Sequence, residues 1–144
     1  MERKTIYKYI ANIAAAIFAG SIIYFLKGNK ELNVFHWFPS LLHFINKVTM
    51  PAFVKNNLAD GLWLYAFLCS VFLVWDAKPS AACIGWLSFA VVGAVSSEFL
   101  QALHLIPGTF DWLDIAAYLI ASGFFIINFN NQLQLNLKLK FLNK

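Results

Sequence analysis

Four apolar stretches set the architecture of this chain: Tyr9–Leu26, Leu58–Trp75, Ala81–Leu100 and Trp112–Phe129. Each is close to the roughly 20 helical residues that cross the hydrocarbon of a bilayer. The pattern therefore predicts an all-α, polytopic transmembrane four-helix bundle, a single membrane domain that uses residues 1–144. The first stretch follows Glu2-Arg3-Lys4 and imitates a secretory signal. Its apolar run is longer than a signal's hydrophobic core, and no small-x-small cleavage site closes it, so we read it as an uncleaved first span.

Between the first two stretches, roughly Lys27–Asn57, lie Val34-Phe35-His36-Trp37-Phe38-Pro39 and Leu41-Leu42-His43-Phe44-Ile45. These pieces are too short to span and too aromatic for open water, so one or two short helices lying flat in the outer headgroup region are expected. Pro39 is placed to open one of them and Pro51 to stop it. Their role is an interfacial anchor, or alternatively a lid over an outer pocket. At the other end, Leu133, Leu135, Leu137, Leu139 and Phe141 alternate with Gln, Asn and Lys. Period two argues for an extended strand. A strand skimming the inner leaflet, a continued helix and a disordered tail all remain open for that segment. Small residues recur at four-residue spacing, as Ala15/Ala19 and Ala16/Gly20 in the first span and Gly93/Ser97 in the third. Such spacing lets helix backbones approach closely in lipid.

Composition agrees with the pattern. The chain is 60% hydrophobic and 12% charged, with 15 phenylalanines; a soluble domain carries about twice that charge. Cys69 and Cys83 fall inside apolar stretches, which favours packing over a disulfide. The net charge of +4 does not point to nucleic acid, because the basic residues sit mostly at span ends, where anionic headgroups lie. Their distribution also orients the chain. With the N-terminus inside, Arg3, Lys4, Lys8, Lys78, Lys138, Lys140 and Lys144 are cytoplasmic and Lys27, Lys30, Lys47 and Lys55 are outside. This excess places both termini in the cytoplasm of a multi-pass inner-membrane protein.

Candidate chemistry is concentrated at the outer side. Of the seven acidic residues, Glu98, Asp111 and Asp114 lie within one short segment. Asp60 opens the second span, with Asn57 one turn earlier, and Glu98 and Gln101 share a face at the end of the third. Asp111, Asp114 and Tyr118 fall within about 60° of one another on a helix, and Ser122 extends that stripe. Topology alone brings Asp60, Glu98, Gln101, Asp111, Asp114 and Tyr118 to one depth. Asp111 follows Pro107-Gly108-Thr109 and has a plain alternative role as a helix cap, as does Asp60. Asp114 and Glu98 lie deeper than a cap requires. An aspartate at mid-span costs about 2.5–3.5 kcal/mol on insertion scales, so such groups are paired in a structural hydrogen-bond network or used. His104 is a minor candidate whose helical angle drifts from Glu98. No His-x-x-x-His or Cys-x-x-Cys metal spacing is present, nor a Ser-His-Asp set, a glycine-rich phosphate loop or a dinucleotide fingerprint. No cofactor is implied.

At these residues the chain resembles the VanZ-like family of small bacterial membrane proteins. The resemblance rests on Asn57-Leu58-Ala59-Asp60-Gly61-Leu62-Trp63, on Glu98-Phe99-Leu100-Gln101, and on Pro107-Gly108-Thr109-Phe110-Asp111-Trp112-Leu113-Asp114-Ile115-Ala116-Ala117-Tyr118. It covers about the last 90 residues. Ser97-Glu98 stands where the family has an aspartate–glutamate pair, and Ala117-Tyr118 where it has asparagine–glycine. At Ala117-Tyr118 the chain is also similar to a related group of uncharacterised four-helix membrane proteins. The resemblance implies a bacterial envelope protein associated with resistance to teicoplanin-type glycopeptide antibiotics.

Two functional expectations follow. The first is a non-enzymatic protein whose outer acidic pocket binds a polar or cationic group of a lipid-linked or lipophilic ligand, with membrane lipids as its surroundings. The alternative is a membrane enzyme using Glu98 or Asp114 as acid or base on a lipid-linked envelope substrate. A proton-coupled transporter fits less well, because no charged residue lies on the inner half of the spans to complete a path.

Overall fold

The computed structural model describes residues 3–27 and 49–142, together with Trp37, Phe38, Ser40 and Ile45. The described residues are all-helical, with five elements: α1 (Arg3–Leu26), α2 (Ala52–Asn56), α3 (Leu58–Val74), α4 (Ala81–Ala102) and α5 (Trp112–Leu142). The short interfacial helices expected around residues 34–45 lie largely outside the described residues, as does Pro39. The segment that Pro51 is expected to stop also lies largely outside the described residues; Pro51 itself precedes α2, and its carbonyl accepts from Lys55 N–H.

Three helices are long and apolar enough to cross a membrane, over Ile6–Leu26, Ala81–Ala102 and Trp112–Asn130. The fourth expected span, α3, has 17 residues. At about 1.5 Å per residue it falls a turn short of a 30 Å hydrocarbon layer. It is nonetheless the central element. Its buried residues, including Ala59, Gly61, Leu64, Leu68, Cys69 and Phe72, go right round the helix, and α1 and α5 pack along it. The flanking helices each offer one stripe: Tyr9, Ile13, Ala16 and Gly20 on α1, and Ala117, Ala121, Phe125 and Phe129 on α5. These spacings of three and four residues keep each set on a single face.

Large apolar side chains cover the outside, among them Phe18 at 69% exposure, Phe89 at 70% and Phe124 at 61%. A water-facing protein rarely exposes apolar patches of this extent, and lipid is the solvent that suits them. The aromatic core lies towards the end of the bundle away from Asp60. There Phe72 meets Tyr9, Phe125 and Phe129 edge-on, at ring distances of 5.5, 5.8 and 5.0 Å. Cys69 and Cys83 are free thiols buried in this core, consistent with packing rather than a disulfide.

Only part of the small-residue pattern is used within the chain. Ala16 and Gly20 are buried, and a Cβ on Gly20 would stand 2.6 Å from Trp63 Nε1 and 3.4 Å from the Ala59 carbonyl. A Cβ on Gly93, by contrast, would meet nothing. A close approach also occurs at Gly61, outside the pattern singled out in the sequence: a Cβ there would stand 3.0 Å from the Ala117 carbonyl, so α3 and α5 touch backbone to backbone. The alternating tail is not a strand, since α5 continues as helix to Leu142.

Both inter-helix turns close with the same backbone device. After α3, Ala77 N–H bonds to Phe72 O and Asp76 N–H to Leu73 O, with Asp76 at φ 54. After α4, Leu105 N–H bonds to Leu100 O and His104 N–H to Gln101 O, with His104 at φ 56. These paired bonds satisfy the terminal carbonyls and require a left-handed residue, a role glycine fills most easily. Ser80 then caps α4, its hydroxyl accepting from Cys83 N–H at 3.2 Å.

Candidate functional site: a carboxylate cluster

The site is assembled at the N-terminal end of α3, the C-terminal end of α4 and the N-terminal end of α5. Its centre is Asn57, the residue that breaks α2 from α3. It stands at the N-cap position of α3 but makes no side-chain cap bond. The side chain turns away from its own helix and its Nδ2 donates to Asp114 Oδ1 at 2.8 Å and to Asp111 Oδ2 at 3.0 Å. One amide nitrogen thus ties α3 to two carboxylates of α5. Asn57 is 1% exposed, and its Oδ1 is buried without a hydrogen-bond partner among the described residues.

Asp111 does two things at once. Its Oδ1 accepts from Leu113 N–H at 2.9 Å, which makes it the N-cap of α5, while Oδ2 takes the bond from Asn57. The bond from Leu113, and after it the one from Asn57, holds its carboxyl below the usual carboxylate range. The capping role is therefore real and coexists with membership of the cluster. Glu98, 3% exposed, is the buried carboxylate of α4, and its Oε2 accepts from Asp111 N–H at 3.3 Å. Negative charge at the start of α5 suits the unpaired N–H groups and the dipole there.

Asp60 and Tyr118 complete the group. Asp60, half-buried in the first turn of α3, lies within electrostatic reach of Asp114 and of Lys27 at the end of α1. Glu98 feels the charges of Asp60, Asp111 and Asp114, and the Tyr118 hydroxyl faces Glu98 with Asp60 and Asp114 close by. The structure therefore brings five of the six expected residues together. Among the described residues, none of the four carboxylates forms an ion pair. No three His, Cys, Asp or Glu side chains converge at metal-ligand spacing among those residues either.

The remaining candidates serve other purposes. Gln101 lies against the loop, where a Cβ on Gly108 would stand 2.5 Å from its Cδ. Gly108 has φ 137, so its backbone conformation and the room for Gln101 both call for glycine. Gln101 thereby shapes the segment that delivers Asp111 without itself joining the carboxylates. Ser122 bonds back to the Tyr118 carbonyl at 2.8 Å and adds nothing to the stripe. His104 is exposed and occupies the left-handed turn position after α4. Sequence reasoning noticed Asn57 only as a neighbour of Asp60. The available signal was an asparagine at a helix start whose side chain faced three acidic residues expected at the same depth.

A separate apolar groove of about 320 Å³ lies beside the cluster, lined by residues of α2, α3 and α5, including Phe53, Leu58, Leu62, Ile120 and Phe124. No residue of α4 lines it, and its surface suits hydrocarbon rather than ions. Gly61 and Ala117 line this groove and are chain neighbours of Asp60 and Tyr118. Comparison of the chain with protein-family models, with curated proteins and with solved structures gives no match.

Proposed function

We propose that this is a four-span, VanZ-like protein of the bacterial cytoplasmic membrane, with both termini inside, whose outer acidic pocket binds a lipid-linked or lipophilic ligand through a polar or cationic group. The observation that carries this reading is the Asn57 amide held by Asp111 and Asp114, with Glu98 and Asp60 beside them and no ion pair among the described residues. Four carboxylates at membrane depth are costly without a counter-charge, and intramembrane ionisable groups mark ligand sites by default. The apolar groove next to the cluster supports a ligand that arrives through the bilayer. On this reading α3 crosses as the fourth span, its short length met by tilt of its neighbours or local thinning of the bilayer. The family resemblance extends the proposal to teicoplanin-type resistance.

The test is antibiotic susceptibility of cells carrying the full chain or its variants. Glu98→Gln and Asp114→Asn are each expected to lower resistance more than Asp111→Asn, whose capping oxygen is retained. Wild-type behaviour of both deep variants, at equal membrane abundance, would remove the pocket as the functional site. One observation favours an enzyme instead: the buried Glu98 carboxylate faces the Tyr118 hydroxyl, a pairing able to pass a proton. In that case Tyr118→Phe abolishes turnover of a lipid-linked substrate while leaving its binding intact.

A further inference from the structure

We infer that the outer cluster takes a primary ammonium group, in preference to a quaternary ammonium or a divalent metal ion. The inference rests on the pocket being a binding site and adds the chemistry of what it selects. The cluster is rich in hydrogen-bond acceptors, and its donors, the Asn57 amide nitrogen and the Tyr118 hydroxyl, are already turned to its own carboxylates. Asp60, Glu98, Asp111 and Asp114 supply carboxylate oxygens, and Asn57 supplies an amide oxygen with no partner among the described residues although the residue is 1% exposed. The Asn57 amide cannot be turned to hide that oxygen. Its nitrogen is held by Asp111 at 3.0 Å and Asp114 at 2.8 Å, and a flip would set oxygen against carboxylate oxygen.

Lys27 lies within electrostatic reach of Asp60, but among the described residues no ion pair reaches Glu98, Asp111 or Asp114, so a cation that also donates hydrogen bonds would complete the set. An ammonium group brings one charge and three N–H donors, enough to serve the Asn57 oxygen and two carboxylates together. A trimethylammonium brings the charge and no donor. A calcium or magnesium ion needs oxygens converging at about 2.0–2.6 Å, and the described carboxylates do not converge in that way. Ammonium bonds of about 2.7–2.9 Å ask for less close convergence.

The test uses the full chain in phosphatidylcholine nanodiscs, titrated at about pH 7 with dodecylammonium and, separately, dodecyltrimethylammonium. The readouts are tryptophan fluorescence, to which Trp112 beside Asp111 contributes, and the thermal midpoint. Dodecylammonium should bind saturably and roughly tenfold or more tighter than its trimethylated analogue, the difference expected from hydrogen bonds to charged groups. Asp114→Asn and Glu98→Gln, each checked for native helicity, should abolish that preference. Replacing part of the phosphatidylcholine with phosphatidylethanolamine identifies the source. Competition with dodecylammonium assigns the group to a bilayer headgroup; lack of competition assigns it to a delivered ligand. Equal affinity for the two probes would overturn the ammonium preference and leave the pocket as a general cation site. Indistinguishable titrations of wild-type protein and Asp114→Asn would overturn the binding pocket itself.

Discussion

Replacing Asn57 with leucine should loosen the carboxylate end of the bundle by about 1–2 kcal/mol. The substitution keeps the branched shape of a side chain that is 1% exposed and is somewhat larger, so no cavity term enters. It removes two interhelical hydrogen bonds, of 2.8 and 3.0 Å, from α3 to α5. Side-chain hydrogen bonds between membrane helices average about 0.6 kcal/mol and reach about 1.7 kcal/mol. Carboxylate acceptors place these two above the average, for a gross loss of about 2–3 kcal/mol. Deleting the unpartnered Oδ1 removes a desolvated acceptor and returns part of that loss. Reversible unfolding by SDS from mixed micelles, followed by helicity, measures the change. A double-mutant cycle of Asn57→Leu with Asp114→Ala isolates the bond, with an expected coupling of roughly 0.5–1.5 kcal/mol. A coupling indistinguishable from zero would mean that Asn57 does not tie the helices, and the account of the site's assembly would fail with it.

Gly61→Ala and Gly93→Ala should move in opposite directions. The first forces a methyl group to 3.0 Å from the Ala117 carbonyl and costs about 1–3 kcal/mol, whereas the second meets nothing and gains up to about 1 kcal/mol of helix propensity. Both are read from the same SDS midpoints, and equal effects would refute the close α3–α5 seam. His104→Gly relieves a left-handed residue and should stabilise the turn by about 1 kcal/mol without changing resistance; a loss of resistance would put the imidazole back in the site. Asp111 predicts an acid limit. Its carboxyl is held below the usual range in the folded state, so its contribution is present above the unfolded value of about 3.9 and is lost as pH falls below it. The difference in SDS midpoint between wild type and Asp111→Asn should therefore shrink only below about pH 4, and a difference that stays constant through that range contradicts the assignment.

The helices were legible because each is a long apolar run, and run length is what decides a span in lipid. The expected stretches 81–100 and 112–129 start where α4 and α5 start. The alternating tail misled because period two in Leu133–Phe141 describes side chains alone. In α5, which runs unbroken from Trp112, each further residue adds one backbone bond to an existing helix, and extending it costs far less than nucleating an unpaired strand. The small-residue motif was similarly incomplete. Spacing of four identified Ala16 and Gly20 correctly, yet the glycine that would bring a Cβ nearest another helix's backbone is Gly61, facing Ala117. One helix's sequence carries its own small positions and says nothing of where the partner's backbone comes close.

The same distinction explains how far the site could be read. The carboxylates were visible because charge is rare in this chain and helical spacing fixes which residues share a face, so Asp111, Asp114 and Tyr118 were placed together before any contact was known. Gln101 satisfied the identical rule with Glu98, three residues away. It nevertheless packs on Gly108, because a flexible amide is drawn to the nearest backbone opening, and the left-handed glycine supplies one. Asn57 carries no charge and sits at a helix start, where its type ordinarily caps its own helix. That local bond is absent because two carboxylates on α5 offer stronger acceptors than a neutral oxygen offers its own N–H groups, and the amide nitrogen follows them. The residue that organises the pocket is thus a neutral one, recruited by charges more than 50 positions away in the chain. Its unpaired oxygen is the direct consequence: having turned its donors to the acids, Asn57 leaves an acceptor buried among acceptors, and only a donor from outside the described residues can complete the set.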